Sequence, residues 1–510
     1  MDFESEIDMP SWSLQLQKEQ EQNRHSLYTP SMFITENLEQ NHYIPITAIV
    51  DRVTKDEQAV YHSVQHLLKY PFIKEIYINN NKFSRRPLSM ELFQDLNFNR
   101  TKHDHIQLYI IQQESSSLPS SSSSSSSILS TKEYDISMTR FTTCMKATYS
   151  HCYFQDDLGL NLYMDTQYTN FLQTPHLIHA NARPATFIDH QKWRFKHGND
   201  LHVGYAQFRY GTIVQKSLIE SFVSTVITSY EEQQEQHLDH HADINFIIWS
   251  NQYPWLLSNP LLTTGKNEFN INNNNGDDDD SIDPINNRKY VYRYMYEALQ
   301  GLEKRLSEQS HEAANPPLKE RHVRTSCAND HCLFTTNINP FDPEEIQNQR
   351  EFTIPNVTSI QDWESSFIGK IPSTEMWQRG AYHYAVDNNP YTCWNSFLHP
   401  RKGDYFGLNM VGTIPAKRIL VHLQRPIMDY NFEEEKEQGA FFKISVSEKK
   451  DQWIDCRVER MKEMETSKRI ALRLQDCSNI KAWNAIRLEF KKDLLEPIQI
   501  CGIHIDNMIV

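Results

Sequence analysis

No glycine occurs in the first 158 residues of this 510-residue chain; all 14 lie at or after Gly159. Glycine lets backbone N–H groups crowd around a phosphate and lets a chain turn at positive φ without steric cost. Neither G-x-G-x-x-G nor G-x-x-x-x-G-K-[ST] is present here or further on, and G-x-S-x-G is missing as well. The distribution excludes a Rossmann nucleotide start, a P-loop ATPase and a serine-hydrolase elbow.

The length allows two to four domains. With 51 basic against 66 acidic residues the net charge is −15, which argues against a nucleic-acid partner and against binding to anionic membrane. Eight cysteines do not make a disulfide scaffold, although Cys327 with Cys332, or Cys456 with Cys477, can pair in an oxidising compartment. The opening MDFESEIDMPSWSLQLQKEQEQ lacks the basic start and apolar run of a signal peptide. No apolar stretch has membrane-spanning length, so no membrane span is expected. Compartment and oligomeric state stay open, because Asn99-Arg-Thr and Asn356-Val-Thr are glycan acceptors only on the secretory route.

Residues 1–40 read as a disordered polar lead. From 43 onward, IPITAIVDRV (44–53), DEQAVYHSVQHLLKYP (56–71) and IKEIYINNN (73–81) read as strand, helix and strand, a β-α-β unit. HIQLYIIQQ (105–113) is a further strand. TRFTTCMKATYS (139–150) reads as a helix, and HCYFQDD (151–157) as a strand ending in Asp156 and Asp157. Residues 176–189 alternate as strands, 214–230 and 291–310 read as helices, and 242–262 is an apolar segment ending in a loop. Two low-complexity insertions, 115–130 and 263–289, interrupt this domain of 41–310. Residues 311–373 read as linker and packing segments, and 374–510 carry short β-runs at sandwich spacing.

Ligands of α/β sheets collect outside the carboxyl ends of the strands, where Asp156 and Asp157 fall. Paired carboxylates there suit a divalent ion, Mn²⁺ or Mg²⁺, which would neutralise a diphosphate without a glycine loop. With CYFQDDLGLNLYMD (152–165) and the later ADINF (242–246), this order resembles the GT-A fold of nucleotide-sugar-dependent glycosyltransferases. The resemblance covers residues 43–310. It implies metal ligation by Asp156 and Asp157, nucleotide contacts by Arg52, Asn79, Asn80 and Asp156, and a base or acceptor-orienting role for Asp243. The implied reaction transfers sugar from a nucleotide-sugar donor to a glycan or glycoprotein acceptor, and the family implies the secretory pathway. A complete Asp-x-Asp would need an acid at 155 or 158, where the chain has Gln155 and Leu158. A non-catalytic carbohydrate- or protein-binding chain on a degenerate transferase scaffold is therefore the alternative, and whether the chain is an enzyme stays open.

His237, His240 and His241 beside Asp239 and Asp243 suit either a metal site or a solvated loop, while His322, Cys327, His331 and Cys332 have metal-ligand types without the paired rhythm of structural zinc and read equally as a disulfide or buried thiols. YAQFRYGT (205–212), flanked by Gly204, suits either a substrate-facing loop or packing.

Five C-terminal blocks, AYHYAVDNNPYTCWNS (381–396), GDYFGLNM (403–410), KRILVHL (417–423), FFKISVSEKKDQWIDC (441–456) and NAIRLEFKKDLLEPIQICGIHI (484–505), resemble a discoidin-type, galactose-binding-like β-sandwich. The resemblance implies carbohydrate binding on loops, here 397–402 and 426–436 with Arg401, Lys402 and Arg425. Asp387, Trp394 and Trp453 read as turn and core residues. The Glu433–Glu437 run argues against a lipid-binding version.

Overall fold

The computed structural model describes residues 44–80, 87–101, 104–112, 136–197, 200–229, 242–260, 262–263, 288–308, 321–340, 358–414, 417–427, 442–448, 452–477, 482–505 and 508–509. The lead (1–40), nearly all of both low-complexity insertions, His237, Asp239, His240, His241, Asn356 and the Glu433–Glu437 run lie outside them.

The first unit runs β1 (Ile46–Asp51), α1 (Glu57–Leu67), β2 (Ile73–Asn79), β3 (Gln107–Ile111), α2 (Ile136–Lys146), β4 (His151–Asp156) and α3 (Met164–Gln173). It continues with β5 (His179–Ala182), α4 (Pro184–Lys192), β6 (Tyr210–Gln215), α5 (Lys216–Ser229), α6 (Ala242–Trp249), β7 (Trp255–Ser258) and α7 (Arg288–Glu308). Seven strands form one mixed sheet in the order β7-β5-β6-β4-β1-β2-β3, with β6 alone antiparallel to its neighbours. β1, β2 and β4 are buried nearly throughout, which matches their continuous apolar character and places them at the centre of the sheet. Alternation divides their side chains. Ile49 and Phe154 join Phe141 of α2 on one face, while Ala48, Val50 and Tyr153 join Val60 and Val64 of α1 on the other.

Residues 176–189 are not all strand: β5 ends at Ala182 and α4 begins at Pro184. Proline suits the first helical position, because its fixed φ fits and the missing N–H has no intrahelical partner there. The glycines of the 204–212 stretch serve packing. Gly211 sits at φ +95°, where an added Cβ would lie 2.7 Å from the Tyr153 hydroxyl.

The stretch expected as linker carries β8 (Val323–Ser326), β9 (Cys332–Thr336) and α8 (Thr358–Ser365). It is followed by α9 (Thr374–Gln378), β10 (Trp394–Asn395), β11 (Tyr405–Ile414), β12 (Arg418–Leu423), β13 (Phe442–Ser447), β14 (Trp453–Arg460), β15 (Arg469–Gln475), β16 (Trp483–Phe490) and β17 (Gln499–Ile505). These strands form an antiparallel half-barrel sandwich in the order β8-β9-β11-β16-β13-β14-β15-β12-β17-β10. β8 and β9 thus belong to the sandwich, and they also lock it to the first unit. The Asp330 carboxylate accepts the backbone N–H groups of Asp165 and Thr166 at 3.1 and 3.0 Å, supplying a charge complement at the start of α3. Phe187 of α4 stacks on Trp377 of α9.

All eight cysteines are paired: Cys144–Cys152, Cys327–Cys332, Cys393–Cys501 and Cys456–Cys477. Cys327 and Cys332, tied to each other, are not available to a zinc ion. No helix among the described residues is long and apolar enough to cross a membrane.

Candidate functional site

Register brings three polar residues side by side at the carboxyl edge, because Asn79 pairs with Asp51 and Asp51 pairs with Asp156. All three side chains meet the α2 face. The Asn79 amide donates to Asp51 Oδ1 at 2.7 Å and accepts from the Thr143 hydroxyl at 2.9 Å. Arg140 enters from α2 almost fully buried. Its Nη2 lies 2.6 Å from Asp51 Oδ2 and 3.3 Å from Asp156 Oδ1, and its Nη1 donates to Asp243 Oδ2 at 2.7 Å. Arg209 closes the cluster by donating from Nε to Asp156 Oδ2 at 3.1 Å.

Charge and burial oppose one another here. Burial pushes the Asp51 carboxyl up to about 7 despite the attraction of Arg140, with the Asp156 charge adding to the rise. Burial likewise raises Asp243 to about 6, again against Arg140. Burial works against the Arg140 charge too, but Asp243, Asp51 and Asp156 outweigh it and hold the guanidinium above its ordinary value. Asp243 is the most open member, with its side chain 29% exposed and Oδ1 lacking a hydrogen-bond partner among the described residues.

Asp157 turns to the opposite face, as strand alternation requires. Its Oδ1 accepts the N–H groups of Val53 and Thr54 at 2.9 and 3.1 Å, and its Oδ2 accepts the Thr54 hydroxyl at 2.7 Å. Burial pushes this carboxyl up to about 7 even though those hydrogen bonds favour the charge. Gln155 on the same face is tied to the Tyr153 hydroxyl at 2.7 Å and to the Gly159 carbonyl at 2.9 Å.

These residues do not fit a divalent ion held jointly by Asp156 and Asp157. The two carboxylates diverge, one salt-bridged to Arg140 and Arg209 and the other holding the 53–54 turn, and among the described residues no three His, Cys, Asp or Glu side chains are arranged to hold a metal. The nucleotide candidates are also engaged internally. Buried Arg52 donates to Asn80 Oδ1 at 3.0 Å and to the Lys55 carbonyl at 3.3 Å, and Asn80 donates to Gln112 at 3.0 Å. The structure therefore unites Asp51, Asn79, Asp156 and Asp243 around Arg140 and separates Arg52, Asn80 and Asp157 from that cluster. Arg140 and Arg209 were not singled out from the sequence. The available signal was the need of buried carboxylates at several strand ends for a countercharge.

The sandwich carries a concavity of about 430 Å³ between the 390–393 loop, the end of β12 and the 466–469 turn. Its lining includes Tyr391, His422, Gln424, Thr466, Lys468 and Arg469, over a base formed in part by the Cys393–Cys501 disulfide. Tyr391 is 90% exposed, on a loop held internally: Asp387 Oδ1 accepts the Asn389 N–H at 3.0 Å, Asp387 Oδ2 the Thr392 hydroxyl at 2.6 Å, and Asn389 Oδ1 the Tyr391 N–H at 3.0 Å. Burial, reinforced by the charges of His504 and Arg469, lowers His422 to about 4, so its ring is neutral at physiological pH. Trp394 is core, against Phe334 and Tyr382, while Trp453 flanks the Arg487 guanidinium. Arg401, Lys402 and Arg425 do not line the concavity; the backbone N–H groups of the first two bind Asp404 and Asp493.

No protein-family profile and no curated protein matches this chain. Among solved structures it is similar to the Clostridium perfringens module CpGH89CBM32-6 at 15% identity, over 24% of this chain and 79% of that one, with a TM-score of 0.17. It is also similar to CpGH89CBM32-5 of the same organism, solved with GalNAc-β-1,3-galactose, at 12% identity over 25% and 83% of the two chains and a TM-score of 0.17. A Streptococcus pneumoniae fucose binding module, SpX-3, is similar at 9% identity over 25% and 84%, with a TM-score of 0.17. The C-terminal half-barrel is compatible with the discoidin-like sandwich that the five sequence blocks imply.

Proposed function

We propose that this chain is a carbohydrate-binding protein whose α/β unit is a degenerate transferase-like scaffold and whose ligand seat is the concavity of the sandwich. The observation that carries this reading is the contrast between the two places. At the sheet edge the acidic doublet is consumed within the protein, while the sandwich keeps an open cleft lined by an exposed aromatic and by polar side chains. A cleft of that volume suits a small ligand, and a tyrosine offers an apolar ring face with a polar tip. Pairing of all eight cysteines supports an oxidising, secretory-route compartment.

A second reading keeps transferase catalysis. It is favoured by Asp243, whose side chain is partly open, whose buried Oδ1 has no hydrogen-bond partner among the described residues, and which holds its proton up to about 6, a value suited to a base for an acceptor hydroxyl. On that reading the donor diphosphate would face Arg140 and Arg209 in place of a metal. Calorimetric titration of the full chain with UDP and GDP, with and without Mn²⁺, beside a neutral and acidic glycan array, separates the readings. Glycan capture without nucleotide affinity is expected. Nucleotide-sugar turnover that is lost in Asp243→Asn would overturn the non-catalytic reading.

A further inference from the structure

The concavity has an unusual charge for this protein. Its lining holds two cationic side chains, Lys468 and Arg469, and no carboxylate, on a chain whose net charge is −15. Among the described residues neither cation makes an ion pair; the Arg469 Nε is held by the Met464 carbonyl at 2.6 Å, which fixes the guanidinium on the rim. The Thr466 hydroxyl accepts the Lys468 N–H at 3.3 Å and so shapes the turn that carries both residues. Opposite them stands Tyr391 on its hydrogen-bonded loop, with neutral His422 and Gln424 between. The backbone of the loop that carries Tyr391 and the Arg469 guanidinium are already held in place, which removes part of the ordering cost of binding.

From this geometry we infer that the concavity selects an anionic sugar residue, with the acid group at Lys468 and Arg469 and the ring face on Tyr391. This rests on the carbohydrate-binding reading and names its ligand class. Carboxylate and sulfate share the required chemistry, since both accept bidentate hydrogen bonds from a guanidinium. His422 and Gln424 supply neutral hydrogen-bonding groups for hydroxyls.

The test is binding of the full chain to lactose and to its sialylated, glucuronylated and sulfated derivatives at low and high salt, with vesicles of phosphatidylserine as a separate arm. The expected result is a preference of roughly tenfold or more for an acidic derivative over lactose, weakened by salt, as charge-assisted contacts predict. Lys468→Gln removes an exposed cationic head group from the lining and should reduce that preference about fivefold to tenfold with the thermal unfolding midpoint unchanged. Tyr391→Ala should weaken acidic and neutral sugars alike. Lactose binding without an acidic preference overturns this inference and leaves the parent reading standing, whereas no binding to any sugar by folded protein overturns the parent reading. Capture by the vesicles that equals the best sugar and survives Tyr391→Ala also overturns the inference.

Discussion

Replacing Asp157 with alanine tests the role of the acidic doublet by sign as well as by size. The substitution removes three hydrogen bonds to a buried carboxyl group, from the Val53 and Thr54 N–H groups and the Thr54 hydroxyl. The consequences differ by donor. Thr54 Oγ1 keeps the Asp56 carbonyl at 3.2 Å, and half-buried Val53 can rehydrate, but the buried Thr54 amide is stranded. A stranded amide costs about 1–3 kcal/mol, and each lost bond to a charged acceptor about 1.5–3 kcal/mol. Relief from burying the carboxyl returns part of that sum, leaving a net loss of about 3 kcal/mol, within the range of large single-residue effects. For a cooperative unit of this size that corresponds to a fall in Tm of about 6–12 °C. The assay is thermal unfolding of wild type and Asp157→Ala in EDTA and again with Mn²⁺ and UDP. A metal ligand would behave oppositely, since deleting one of two neighbouring carboxylates in metal-free protein relieves repulsion. An unchanged or higher Tm in EDTA, together with Mn²⁺ stabilisation seen only in wild type, would refute the reasoning.

Arg140→Met should destabilise by about 3–5 kcal/mol near neutrality, because Asp51, Asp156 and Asp243 lose a shared buried partner, and the deficit should shrink near pH 5 as Asp51 and Asp243 protonate; urea midpoints at pH 5 and pH 8 check both. Removing the Cys393–Cys501 bond, which spans a sequence separation of 108, should cost about 4–5 kcal/mol on a chain-entropy account and loosen the rim of the concavity; reductant-dependent unfolding and lactose affinity of the double alanine variant measure the two effects. Asp387 is raised by burial from its ordinary 3.8 to about 7, so its contribution to stability is complete below about pH 3.8 and is lost as pH rises through about 7; Asp387→Asn, which keeps an acceptor for the Asn389 N–H, should therefore gain Tm relative to wild type between pH 4 and pH 8.

Local patterning carried most of the first unit. The β-branched run at 44–53, the helical spacing at 56–71 and the apolar run ending at Asp156 became β1, α1 and β4 because each segment's own period agrees with its place in the sheet. What escaped was set by distant partners. Pro184 reads as a strand breaker or as a helix starter with equal ease, and the choice fell to helix once Phe187 could pack on Trp377 of the sandwich. β8 and β9 are too short and too polar to announce themselves, and they are strands because β11 offers a free edge to β9. Arg140 reads as an ordinary polar position in a helix. Only the convergence of Asp51, Asp156 and Asp243, 192 positions apart at the extremes, gives it a purpose.

The glycine-free opening of the chain acquires a structural meaning at the turn between β1 and α1. In nucleotide-binding α/β units the backbone N–H groups of that first turn are where a phosphate sits. Here the N–H groups of Val53 and Thr54 already donate to an acceptor of the protein's own, the Asp157 carboxyl group, delivered from the end of the neighbouring strand. A carboxyl group on a short side chain reaches these N–H groups past the ordinary residues Val53 and Thr54, with no glycine in the turn. The same substitution explains why the acidic doublet splits. Asp157 serves the turn on the α1 face, and Asp156 is left on the α2 face, where Arg140 and Arg209 balance it. A turn already capped by the protein's own carboxyl group is one reason for proposing that ligand recognition lies on the sandwich. The Asp157→Ala protein provides the converse check: if its emptied turn binds inorganic phosphate or sulfate that wild type does not, the carboxylate is the stand-in described, and if neither protein binds, the turn is only a structural joint.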